Sequence, residues 1–136
     1  MIGVVIVAHG GLARELLATV EHVLGRQAGM RAISIGVNDD RQVKTAEIRR
    51  AADAVDQGDG VVVVTDMFGG SPSTLSLPAC SGARRRILYG ANLPMLIKLA
   101  KSRNKPLPMA IALALDAGRK YIDVFDVQEE SIAEHP

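Results

Sequence analysis

Ile2-Gly3-Val4-Val5-Ile6-Val7-Ala8-His9-Gly10-Gly11 stands at the start of the chain and decides its fold class. An unbroken apolar run rich in β-branched residues reads as a strand buried on both faces, and the glycines after His9 end it. A helical pattern follows at once, with Leu12, Leu16, Val20, Val23 and Leu24 on one face and Gly25 as its stop. A strand closing on histidine and two glycines sets an imidazole at the carboxyl edge of a sheet, where open α/β sheets bind their ligands.

The same alternation recurs three times. Further β-type runs lie at about Arg31 to Ile35, Val61 to Thr65 and Arg86 to Tyr89. Strands separated by helical patterns imply βαβ units, and so a parallel, doubly wound sheet with right-handed crossovers and helices on both faces. Asn38-Asp39-Asp40 offers caps for a second helix carrying Ile48, Ala51, Ala52 and Val55 on its apolar stripe before Gly58. Ser71 and Pro72 read as the N-cap and first position of a third helix, which Pro78 and Gly82 keep short or kinked. Gly90-Ala91-Asn92-Leu93-Pro94 ends the fourth strand, Met95, Leu96 and Leu99 begin another helix, and a fifth is expected over Leu107 to Lys120. Tyr121 to Val127 is β-type but charged, as an edge strand would be. One domain over residues 1–127 with a loose tail over 128–136 is expected, without internal repeats.

Composition agrees. Of 136 residues, 48% are hydrophobic but only 3% aromatic, so Val, Ile, Leu and Ala must build the core. A formal net charge of +1 gives no general attraction to nucleic acid or to an anionic membrane, so any partner must be found through a local surface. The single cysteine, Cys80, can form no internal disulfide and reads as a packing residue. No run approaches the ~18 apolar residues of a membrane span, and no basic leader precedes the first strand, so a cytoplasmic protein is expected.

A second peculiar loop follows the third strand: Thr65-Asp66-Met67-Phe68-Gly69-Gly70-Ser71-Pro72. In the strand order 2-1-3-4, strands one and three are neighbours, their crossovers leave in opposite directions, and this loop meets His9 at the switch point. Gly69 and Gly70 let the backbone approach an anion closely with its N–H groups turned inward, and Ser71 adds a hydroxyl, a combination suited to a phosphoryl group. Asp66 would repel a phosphate beside it, so its useful place is behind the imidazole. There it accepts a hydrogen bond from one ring nitrogen and leaves the other as a nucleophile. Gly10, Asn38, Met67, Phe68 and Asn92 are expected at the rim of this site, while His22 and His135 read as solvated. Arg84-Arg85-Arg86 reads as a polar loop entering strand four that could help dock a partner. No cofactor or metal is implied.

His9-Gly10 after strand one, Asp66-x-x-Gly69-Gly70-Ser71-Pro72 after strand three and Gly90-x-Asn92-x-Pro94-Met95-Leu96 after strand four together resemble the IIA component of the mannose family of the bacterial sugar phosphotransferase system. The resemblance covers roughly residues 1–127. It implies that His9 is phosphorylated through Nε2 by the phosphocarrier HPr, with Asp66 orienting Nδ1, and Ser71 and the adjoining backbone holding the phosphoryl oxygens. It also implies a IIB acceptor, here on a separate chain, or a regulatory target that reads the phosphorylation state. A fifth, antiparallel strand exchanged within a homodimer is implied as well, for which residues 121–127 are the candidate.

Two other readings use the same residues. The phosphoryl-donor subunit of dihydroxyacetone kinase employs a similarly placed histidine, but the Gly-Gly-Ser-Pro and Asn-Leu-Pro segments look more like the mannose type. A serine hydrolase triad of His9, Asp66 and Ser71 lacks the G-x-S-x-G elbow, and Pro72 cannot supply the N–H that normally follows the nucleophile.

Overall fold

In the computed structural model, which describes residues 1–67, 69–82 and 84–128, four parallel strands run in the order β2-β1-β3-β4. They are β1 (Gly3–His9), β2 (Met30–Ile35), β3 (Val61–Thr65) and β4 (Arg85–Leu88). The helices are α1 (Leu12–Leu24), α2 (Arg41–Val55), α3 (Ser71–Ser76), α4 (Leu93–Lys101) and α5 (Leu107–Lys120), with a 3₁₀ turn over Pro78–Cys80. This is the expected α/β architecture and strand order.

Alternation along the strands divides the core. Val4, Ile6, Ala8, Val62 and Val64 pack toward α1, α4 and α5, while Val5, Val7, Val61 and Val63 pack toward α2 and the short α3. Because both faces are covered, β1 and β3 are buried along their lengths up to His9, and hydrophobic runs rather than alternating ones are what such strands require. Gly3 is needed at the foot of β1, where a Cβ would lie 2.4 Å from the Val55 carbonyl oxygen at the end of α2. On α1 the buried stripe is Ala13 and Val20 flanked by Leu16, Leu17 and Leu24, whereas Leu12 and Val23 are exposed. The buried face of α1 is thus turned toward the small Ala13 and away from the Leu12 and Val23 read from the sequence.

Caps decide several boundaries. The Asp40 side chain accepts from the Val43 N–H at 3.0 Å at the start of α2, and Asn92 does the same for Met95 at 3.0 Å in α4. At α3 the cap is Gly70, so Ser71 is the first helical residue and Pro72 the second. The extended φ,ψ of Gly70 (−84°, 172°) already turns the chain into the helix, leaving the Ser71 hydroxyl outside the capping role expected of it. α3 ends after six residues, just before Pro78, as that proline requires.

Two expectations are revised. Arg85 and Arg86 belong to β4 itself, and Arg85 pairs with Asp53 at 2.8 Å and Asp56 at 3.0 Å, which ties the strand to the end of α2. Residues 122–128 form no strand in this single chain, and Tyr121, Ile122, Val124, Phe125 and Val127 are exposed. A strand exists only where a ladder partner stands beside it, and among the described residues the sheet pairs only β1 to β4.

Candidate functional site

The site lies where β1 and β3 deliver their carboxyl ends side by side. Their register pairs Val7 with Thr65, so Asp66, one residue on, and His9, two residues on, emerge at the same edge. Gly10 then turns the chain away at φ +57°, its N–H donating to the Ile35 carbonyl at 3.0 Å and anchoring the turn to the end of β2.

His9 and Asp66 make a closed pair. Asp66 Oδ2 accepts the His9 backbone N–H at 3.0 Å and lies 2.7 Å from the ring Nδ1, while Oδ1 accepts the Met67 N–H at 3.0 Å. Partial burial would raise the Asp66 carboxyl, but the hydrogen bonds from the His9 N–H and ring, with the attraction of the ring's charge, outweigh it and hold the group below the usual carboxylate range. An ionised carboxylate has no proton to give, so the short contact requires the proton on Nδ1. In the neutral ring Nε2 then carries the lone pair, and the ring is 51% exposed.

The glycine loop passes over this ring. A Cβ on Gly70 would lie 3.3 Å from His9 Cε1, the carbon between the two ring nitrogens. Among the described residues no carbonyl or side chain takes the backbone N–H of Gly70 or Ser71, and Ser71 is exposed. Gly69 adopts φ +83°, a conformation disfavoured for residues with a Cβ. Met67, 55% exposed, borders the loop, its Cγ 3.5 Å from the same Gly70 position.

The other candidates fall differently. Asn38 is exposed on the loop after β2 and makes no hydrogen bond to His9 or Asp66. Asn92 sits in the loop that donates through Ala91 to the Thr65 carbonyl at 3.0 Å, but its own amide is engaged by the Met95 N–H and, at 3.0 Å, by the Gly118 carbonyl, which ties α4 to α5. Phe68 and His135 lie outside the described residues. His22 is exposed at the end of α1. Burial pushes the Cys80 thiol up to about 11 against the attraction of Arg85 and Arg86, which suits packing better than nucleophilic chemistry. One polar residue went unremarked in the sequence: Thr65, immediately before Asp66, is fully buried, and its hydroxyl has no hydrogen-bond partner among the described residues. Its β-branched side chain made it read simply as the last residue of a strand.

A doubly wound parallel sheet carrying a carboxylate-oriented imidazole beneath a Gly-Gly-Ser loop defines a histidine-centred α/β class. The chain belongs to the EIIA-man family, described as "PTS system fructose IIA component", whose model matches residues 3–112. It is thus a mannose-type IIA component of the sugar phosphotransferase system, a family of phosphotransfer proteins. The chain is 28% identical over 122 residues to the mannose-specific EIIAB component of Escherichia coli strain K12; the match covers 88% of this chain and 38% of that protein. Its fold is shared by the mannose/sorbose-specific IIA subunit from Enterococcus faecalis (TM-score 0.82, 23% identity, 93% of this chain and 96% of that one). Component EIIA from Streptococcus agalactiae is similar too (TM-score 0.81, 22% identity, 91% and 97%).

Proposed function

We propose that this chain is a cytoplasmic histidine phosphocarrier that takes a phosphoryl group from phosphorylated HPr onto His9 and passes it to a IIB-type acceptor or displays it as a regulatory signal. The observation that carries this reading is the 2.7 Å contact between His9 Nδ1 and Asp66 Oδ2, which leaves Nε2 as the outward-facing nucleophile.

The step is an in-line displacement. The Nε2 lone pair attacks phosphorus, the new N–P bond forms as the donor's N–P bond breaks, and the donor nitrogen keeps the bonding pair. Positive charge developing on the ring is met by Asp66 through Nδ1–H. The N–H groups of Gly70 and Ser71 and the Ser71 hydroxyl, with Gly69 shaping the loop, would take the phosphoryl oxygens. Transfer onward reverses the same motions, and an exposed ring suits exchange between two proteins. Residues 1–127 would act as one domain that exchanges the phosphoryl group with a separate acceptor domain.

A homodimer built by exchange of residues 121–127 belongs to the same reading. β4 is an edge strand, and a largely apolar groove of about 560 Å³ runs between it and α5, lined by Ile87, Leu88, Ile111 and Leu115 together with Arg86 and Arg119. An antiparallel segment from a second copy, bringing Ile122, Val124 and Val127, would cover both the edge and the groove.

The test is incubation with phosphorylated HPr. Stoichiometric, acid-labile and base-stable labelling that vanishes in a folded His9→Ala variant is expected. Full labelling of His9→Ala would reject the assignment.

A further inference from the structure

The amino-terminal edge of the sheet, about 20 Å from His9 by the rise of β1, carries a second concentration of chemistry. A pocket of about 600 Å³ opens there, and Arg84, Arg86, Arg103 and Lys105 all line it. Its one carboxylate, Asp59, is already paired with the amino terminus. With a formal net charge of +1 over the whole chain, four cationic side chains around one cavity are a local feature and not a reflection of overall charge.

Arg103 is the most informative member. It is only 4% exposed, its Nε donates to the Ile2 carbonyl at 2.7 Å and Nη1 to Gln27 Oε1 at 3.4 Å, and among the described residues no carboxylate pairs with it. A guanidinium withdrawn from water without a counter-charge is costly, and burial lowers its proton affinity. Arg84 sits at φ +62°, the one described non-glycine residue with positive φ, and its Nη1 donates to the Gly58 carbonyl at 2.9 Å, which fixes the side chain. Backbone strain of this kind persists where surrounding contacts over-determine it.

We propose that this pocket binds a small organic di- or polyphosphate, with Arg84, Arg86 and Lys105 on the phosphoryl oxygens, Arg103 as the buried counter-charge, and Pro106, Leu107 and Pro108 against the organic part. Guanidinium forks match phosphoryl oxygens bidentately. The concave shape and volume are those of a small-molecule site, which favours such a ligand over an extended nucleic acid or a flat protein surface. The site shares no residue with the His9 ledge, so phosphoryl transfer does not bear on it, whereas Arg86, Leu107 and Pro108 also line the groove proposed for the second copy.

Calorimetric titration of the full chain with ADP, without divalent cation and at physiological ionic strength, tests it. Saturable one-to-one binding is expected, with orthophosphate at least about tenfold weaker. Arg86→Ala/Lys105→Ala, both exposed positions, should weaken ADP binding at least about tenfold with an unchanged melting temperature. If that variant melts early, Lys105→Glu alone serves and should show the same loss. Amide resonances of Ile2 and Leu107 should shift on titration, and those of His9 and Gly70 should not. Absence of saturation at millimolar ADP, full affinity in the folded variants, shifts centred on His9, or tenfold tighter binding of a poly-glutamate peptide than of ADP would each overturn the proposal.

Discussion

Asp66 holds His9 twice through one oxygen: Oδ2 accepts the His9 backbone N–H at 3.0 Å and faces the ring Nδ1 at 2.7 Å. The carboxylate therefore sets the position of the residue and the orientation of its ring together. Removing it should loosen both. Asp66→Ala is expected to slow phosphoryl transfer by about 10–100-fold, the usual effect of losing an imidazole's outer partner, while HPr docking changes little. It should also cost about 1–3 kcal/mol of stability, because the N–H groups of His9 and Met67 lose their acceptor. Rapid-quench transfer rates and denaturant melts check the two parts separately.

The adjacent glycines should fail differently. Gly70 has φ −84°, open to alanine, but a methyl there would stand 3.3 Å from His9 Cε1. Gly70→Ala should keep the native melting temperature and slow transfer about tenfold, equivalent to 1.4 kcal/mol in the barrier. At Gly69 nothing lies within 4 Å of an added Cβ, but φ is +83°. Gly69→Ala should cost about 1–2 kcal/mol of stability with a smaller loss of rate. Equal effects on rate from both would refute the ring-clash explanation.

The depressed Asp66 carboxyl makes a pH prediction. A group held below its unfolded value of about 3.9 contributes stability that is complete above that pH and disappears as pH falls through the lower folded value. The stability difference between wild type and Asp66→Asn should shrink steadily as pH falls below about 4. Asp56, lowered by the Gly58 N–H and by Arg85, is present in both proteins and cancels. A difference that grows as pH falls below about 4 would contradict an ionised Asp66.

Val124 is 80% exposed in the single chain, so Val124→Asp should leave the monomer's fold intact. If residues 121–127 are exchanged, that charge would enter an apolar groove and weaken dimerisation at least about tenfold, measured by sedimentation equilibrium, while His9 remains phosphorylatable. An unaltered dimer would remove the segment from the interface.

Much of this architecture was legible because buried parallel strands announce themselves as β-branched runs. β1 and β3 and the span of α5 follow from such local patterns, and the meeting of His9 with Asp66 follows once strands one and three are neighbours. What escaped depends on distant residues. Arg85 looked like a loop residue because its partners Asp53 and Asp56 are 32 and 29 positions away, and Arg103 gave no local sign of its burial against Ile2. Ser71 carries a capping side chain, yet the backbone of Gly70 does the capping. The strand pattern of residues 121–127 is a local propensity, and a strand also needs a neighbouring ladder that local pattern does not report.

The central claim concerns one nitrogen, and NMR of ¹⁵N-labelled protein phosphorylated by HPr addresses it directly. A phosphorus–nitrogen coupling at Nε2 of His9, with Nδ1 still bearing its proton toward Asp66, is the predicted result. Phosphate on Nδ1, or on any residue other than His9, would contradict it.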